Sequence, residues 1–366
     1  MSAPHELFAS CAPGLEPLLE AELGALGALD LDRTPGGVRF RGHRRVIYRV
    51  NLESGLATHV LVRVASFVAR RFDTLEEQLG KIAWERYLTP GVPRRYRVVA
   101  KKSRLVHTGA IAERAANAIA KRLRDEATTD DAGVPVHLRF FRDRVQVSVD
   151  TSGAPLHRRG YRLDGGPAPL REDLARALVF ASGWSTSTPL VDPLCGTGTI
   201  PIEAAFFAQQ IAPGHLRSFS FEQTPLLDAP TWAEVREASS TAAREGPTIL
   251  GRDRDPRAIA ASRANAARAG VAARFEEASL SAPLEIDAEG GAIVTHPPFG
   301  LRMGGKRDLA PLYRALGAMV PDGWRFALLS ADRKLGLRSG RDLRTAFLTD
   351  AGGVKVRALV SRSPVA

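Results

Sequence analysis

The stretch 189–205, PLVDPLCGTGTIPIEAA, constrains what this chain can fold into more than any other part of it. Leu190 and Val191 read as the end of a buried strand, residues 192–199 as a glycine-bearing turn, and residues 200–208 as an apolar helix packed back on a sheet. Gly196 and Gly198 remove side chains where backbone must approach a ligand closely. The helix that follows aims free N–H groups and the positive end of its dipole at any carboxylate bound there. The loop lacks the Lys-Ser/Thr that closes a phosphate-binding P-loop and the third glycine of the dinucleotide fingerprint. A diphosphate ligand is therefore disfavoured.

Two further stretches carry chemistry. Residues 248–250 read as a second strand ending in Gly251-Arg252-Asp253-Arg254-Asp255. Asp255 can N-cap a helix that starts at Pro256 and stops at Gly270. An acid at the tip of the second strand, Asp253, sits where the ribose hydroxyls of an adenosine would lie and can accept hydrogen bonds from both. Residues 292–295 form another buried strand that runs into His296-Pro297-Pro298-Phe299-Gly300. Two successive prolines fix the backbone and remove two N–H donors, which leaves carbonyls to accept from a substrate, and the aromatic can stack on a planar base.

A chain of 366 residues is long enough for two sizeable cores. No window approaches the ~18 apolar residues of a membrane span, and no basic-then-apolar leader is evident, so a cytoplasmic location is expected. Two cysteines and eight scattered histidines make neither a disulfide framework nor a zinc pattern, and no metal is expected. The net charge of +11 is uneven. Residues 1–160 hold 26 Lys and Arg against 18 Asp and Glu, and residues 161–366 hold 25 against 22. A separate nucleic-acid-docking domain would produce that asymmetry.

The first half alternates strands (residues 6–10, 37–41, 58–70, 95–101) with helices (13–26, 43–54, 75–88, 107–124). It closes on a hairpin, 134–149, which turns at Arg142-Asp143-Arg144. This suits an α+β domain with an antiparallel sheet. Its cations Arg94, Arg95, Arg97, Lys101, Lys102 and Arg104 are candidates for phosphate contacts, against the alternative of a solvated strand edge. Gly165-Gly166-Pro167 reads as a linker, and residues 168–183 as a helix with an apolar stripe at Leu170, Leu174, Ala177 and Leu178. In the Pro- and Ser-rich insertion 213–246 only residues 232–244 look helical, and it is assigned no chemistry.

The strand–DPLCGTGT–helix unit resembles the first motif of class I methyltransferases, whose ligand is S-adenosylmethionine. The resemblance implies a Rossmann-like α/β domain over residues 163–366. It implies a cofactor site made by Asp192, Cys195, Gly196, Gly198, Thr199, Asp253 and Arg254, with Leu170 brushing the methionine end. VTHPPFGLRMG resembles the VTNPPYGxRxG motif of THUMP-containing guanine-N2 RNA methyltransferases. ELFASCAPGLEPLLEAELGALG, KKSRLVHTGAIAERAANAIAKRL and LHRRGYR are similar to that family's ferredoxin-like part (residues 1–55) and THUMP module (residues 56–156). The family resemblance thus implies a monomeric enzyme that methylates a guanine amino group in rRNA or tRNA, with His296, Pro297, Pro298 and Phe299 as the catalytic segment.

Such a nucleophile is poor, because its lone pair is delocalised into the ring. The site must hold it in line with the methyl group and accept from both N–H groups. Where the family has Asn this chain has His296, whose imidazole accepts only when neutral, a state that an ordinary pKa of about 6.5 would limit to higher pH. Ser279 stands near where relatives carry an acid for the adenine amino group. A non-catalytic RNA-binding or assembly protein of the same fold, and an adenine-N6 DNA methyltransferase, are the alternative readings.

Overall fold

A computed structural model describes residues 3–126, 128–163, 170–239, 245–298 and 308–362. The proposed linker, 165–167, lies outside them. The first half builds one sheet from β1 (His5–Ser10), β2 (Leu29–Thr34), β3 (Gly37–Gly42), β4 (His59–Val68), β5 (Arg94–Lys101), β6 (Val134–Phe141) and β7 (Arg144–Asp150). Its order is β2-β3-β1-β4-β7-β6-β5. Among the described residues the helices α1 (Glu16–Ala25), α2 (Arg44–Glu53), α3 (Phe72–Gly80) and α4 (Thr108–Leu123) accompany it. Two sequence expectations are corrected here. The sheet is mixed, since β5 runs parallel to β6. The helix expected at 75–88 is α3, which starts earlier and stops at Gly80, where the Trp84 indole N–H donates to the Leu79 carbonyl at 2.8 Å and a 3-10 turn follows.

The second half forms a sheet of β8 (Leu190–Asp192), β9 (Ile249–Asp253), β10 (Arg274–Glu277), β11 (Ala292–Thr295), β12 (Arg325–Ser330), β13 (Leu343–Ala351) and β14 (Val354–Ser361). The order is β10-β9-β8-β11-β12-β14-β13, parallel through β12 and antiparallel at β14 and β13. Among the described residues its helices are α5 (Glu172–Ala181), α6 (Thr199–Ala208), α7 (Ala229–Ser239), α8 (Pro256–Ala269), α9 (Ala310–Ala318) and α10 (Arg333–Leu337). The parallel strands read as continuous apolar runs because both faces are covered, and Leu190, Val191, Ile293, Val294 and Ala327 are fully buried.

The halves share a core. One apolar cluster runs from Leu7 and Val60 of the first sheet through Leu174 and Leu178 of α5 to Val294 and Ala358 of the second. At its centre Glu203 of α6 is fully buried, 3.2 Å from Arg159 Nε and 3.1 Å from Arg176 Nε. Arg159 also donates to the carbonyls of Leu156 (2.7 Å) and Gly55 (2.6 Å). A Cβ on Gly55 would lie 2.7 Å from Arg176 Cγ, so only glycine lets the two halves approach this closely here. Residues 213–239 of the insertion are a clamp between the halves. Tyr48 of α2 donates to the Leu226 carbonyl at 2.6 Å and accepts from Asp228 N at 2.7 Å, while Phe221 and Trp232 pack on its ring. Among the described residues no helix is long and apolar enough to cross a membrane.

Candidate active site

The strand order reverses direction between β8 and β11, and in open α/β sheets ligands bind outside the carboxyl ends of strands at such a point. Both sequence motifs end there. The Thr295 hydroxyl, one residue before His296, donates to Asp192 Oδ1 at 2.7 Å, and Leu194 N donates to the same oxygen at 3.1 Å. Burial pushes the Asp192 carboxyl up to about 7, against these two hydrogen bonds and with help from the charge of Asp253.

Asp253 closes the loop from the other side. Its Oδ2 accepts from Gly196 N and its Oδ1 from Asp255 N, both at 3.0 Å, so each oxygen keeps lone-pair capacity for a ligand hydroxyl. From α8, Ser262 donates to the Gly196 carbonyl at 2.7 Å and Asn265 to the Thr197 carbonyl at 3.1 Å. The two glycines differ in role. Gly196 (φ +54°) faces open space, with no atom within 4 Å of where a Cβ would stand. Gly198 (φ +85°) is the N-cap of α6, and its Cβ would press on Phe275 and Ser262 at 3.0 and 3.1 Å. Its need for glycine is thus conformational and packing-based, not ligand approach. Helix α6 opens without a side-chain cap, and Pro201 in its first turn has no N–H, so the amides of Thr199 and Ile200 are left to face an anion.

Cys195 is buried, its thiol pushed well up by burial and by Asp192 and Asp253, so it packs and is no nucleophile. Leu170 is buried in the shared core, and Arg254 is exposed. Arg162 was not anticipated. Its guanidinium donates to Thr199 Oγ1 (2.8 Å) and the Leu170 carbonyl (2.9 Å) and lies 3.2 Å from Glu172 Oε1, placing a cation at the opening of α6.

His296 is half-buried, and burial draws its imidazole down to about 4. The ring is therefore neutral at ordinary pH, which removes the limit that an unperturbed histidine would impose. Pro297 is buried and Pro298 exposed, and the Pro298 carbonyl accepts from Tyr313 Oη at 3.3 Å. Phe299 lies outside the described residues. Ser279 is exposed, 2.6 Å from Ser281 Oγ, just beyond the end of β10 that pairs with Asp253.

The basic cluster of the first half is only partly available. Arg94 is corrected: it is buried and ion-paired with Asp125. Arg95 donates to the Asp131 carbonyl at 2.7 Å, while Arg97, Lys101, Lys102 and Arg104 are exposed. A cleft of about 840 Å³ opens elsewhere, between α1, α2 and α5–α7, and none of the residues of the glycine loop or of the His296 segment lines it.

The mixed seven-stranded second sheet, with its glycine loop after β8, an acid at the tip of β9 and a proline-rich segment after β11, defines a class I methyltransferase. Residues 159–338 match the family model described as the RMKL-like methyltransferase domain, and residues 6–61 match that of the RlmL ferredoxin-like domain. The chain is 32% identical to a Synechocystis protein provisionally named an RNA methyltransferase, over 95% of this chain and 94% of that one. It belongs to the RMKL-like methyltransferase family. It is 35% identical over 98% of its length to ribosomal RNA large subunit methyltransferase K/L of Syntrophotalea carbinolica, and spans about half (54%) of that protein. The crystal structure of SMU.472, provisionally assigned as a methyltransferase and complexed with SAH, superposes over 100% of both chains with a TM-score of 0.88 at 28% identity.

Proposed function

We propose that this protein is an S-adenosylmethionine-dependent RNA methyltransferase acting in the cytoplasm on the exocyclic N2 amino group of a guanine in rRNA or tRNA. The observation that carries it is the Thr295–Asp192 hydrogen bond, which joins the glycine loop to the His296 segment at one point of the sheet. The residues fit the cofactor: Gly196 leaves an open side, Asp253 offers acceptors for ribose hydroxyls, and the start of α6 with Arg162 offers positive charge for a carboxylate. When bound, the cofactor supplies an electrophilic methyl group on a sulfonium. The rest is done by the chain. Neutral His296 and the Pro297 carbonyl accept the two N–H groups, Phe299 stacks on the base, and the nucleophile is held in line. Residues 1–55 and 56–156 serve in this reading as ferredoxin-like and THUMP units that bind the RNA, and residues 163–366 as the catalytic domain.

Calorimetry of the full chain with S-adenosylmethionine tests the cofactor half of this reading. Affinity in the micromolar range is expected (roughly −8 kcal/mol), and Asp253→Ala should reduce it by at least tenfold. Unchanged affinity in that variant would remove Asp253 from the site, and no binding by the natural chain would sink the assignment. Because Asp192 titrates near 7 in the free protein, and a cationic ligand beside it favours its ionised form, affinity should also rise between pH 6 and pH 8.

A further inference from the structure

The first sheet has two unlike faces. One is packed under the helices, with Val62, Val136, Leu138, Phe140, Val145 and Val147 buried on it. The strand registers collect cations and aromatics on the other. Arg39 of β3 stands opposite Phe8 of β1, Arg63 lies next along on β4, and Arg139 and Phe141 of β6 continue to Arg97 at the β5 edge. The Arg63 guanidinium sits 4.6 Å over the Phe8 ring. Burial and the positive charges of Arg139 and Arg39 lower its pKa to about 10, against the pull of Glu6. Among the described residues Arg63, Arg97 and Arg139 form no ion pair, and Arg39 has only an exposed one with Asp32 at 3.5 Å. Phe141 is 41% exposed. Among the described residues one end of the face is closed, where the 3-10 turn Ser220–Gln223 reaches Asp150 and its neighbours His59 and His137.

Cations that outnumber the acids beside them, here Glu6 and Asp32, repel one another on an open surface, and a bound polyanion removes that cost. We infer that this open face, from Arg39 across Arg63 and Arg139 to Arg97, is the docking surface for a single-stranded segment of RNA, with Phe141 as a stacking platform for an unpaired base. This rests on the reading that the chain acts on RNA. From β3 to β5 there are five strand intervals, about 24 Å at ~4.8 Å each, enough for several nucleotides. A broad sheet cannot enter the deep, narrow major groove of an A-form duplex, whereas unpaired bases stack on sheet-borne aromatics. Lys101, opposite Phe141 at the end of β5, shares this face, whereas Lys102 and Arg104 lie in the turn beyond the strand.

The test is equilibrium binding of the full chain to a fluorescent 12-nucleotide single-stranded RNA over a salt series. Arg63→Gln with Arg139→Gln should weaken binding by at least tenfold and flatten the salt slope by about 1.4, at roughly 0.7 per lost phosphate contact on a single strand. Phe141→Ala should weaken binding with the slope unchanged. Affinity for S-adenosylmethionine should stay the same in all three substitutions; should the double variant unfold, the exposed Phe141→Ala and Arg97→Gln carry the test. Natural affinity retained in these variants, or tighter binding of duplex than of single-stranded RNA, overturns the inference while leaving the RNA reading in place. If the natural chain binds no RNA at all, that reading fails, and the inference with it.

Discussion

Glu203→Ala is expected to destabilise the chain by about 3–5 kcal/mol, the loss typical when one partner is taken from a buried ionic cluster and cations are left uncompensated. Arg159 and Arg176 are both buried, and both rely on this carboxylate. Since Arg159 also holds the Gly55 carbonyl, the damage reaches both halves. Denaturant unfolding of the full chain should show one transition for natural protein and variant, shifted together by fluorescence and by circular dichroism, because the halves share a core. A loss below about 1 kcal/mol, or separate transitions for the two halves, would show that the cluster does not join them.

His296→Ala is expected to lower kcat by an amount equivalent to about 2–4 kcal/mol, the cost of one hydrogen bond made to the transition state. His296→Asn should keep or raise activity, since the amide carbonyl restores an acceptor. The pH profile separates this residue from Asp192. With its pKa drawn down to about 4, the imidazole stays neutral as pH falls, so kcat at saturating cofactor and RNA should be flat from pH 8 to about 5.5 and decline only as pH approaches that value. The kcat/KM for the cofactor should instead fall through about pH 7, as Asp192 takes up a proton. Equal kcat in the natural chain and His296→Ala would show that backbone carbonyls position the base without a side-chain acceptor. A decline in kcat centred near 6.5 would show that the ring is solvated when RNA is bound.

Much of the second half was legible because its signals are local. A glycine loop between strand and helix, an acid at a strand tip and prolines after a buried strand each declare themselves within a few residues. Asp255 caps α8 as its position before Pro256 suggests, donated to by Arg257 N at 2.9 Å. Arg94 was legible too, but was misread. In RRYRVVAK, alternation puts it on the face of Tyr96, Val98 and Ala100, the inward one, where it pairs with Asp125. Glu203 had a signal, a lone charge inside the apolar helix TIPIEAAFFA, but its partners are 44 and 27 residues away and no periodicity connects them. The continuity of the first sheet was hidden for the same reason. It depends on β4 pairing with both β1 and β7, contacts that local patterns do not specify. The depressed pKa of His296 follows from burial, which the sequence around it does not reveal.

The central claim is tested most directly by the product. The full chain is incubated with S-adenosylmethionine carrying a labelled methyl group and with rRNA and tRNA from cells lacking the gene, and the RNA is then digested to nucleosides. Label in N2-methylguanosine, lost in Asp253→Ala and reduced in His296→Ala, is the expected result. Label in N6-methyladenosine, or no transfer to any RNA by the natural chain when His296→Asn transfers readily, would contradict it.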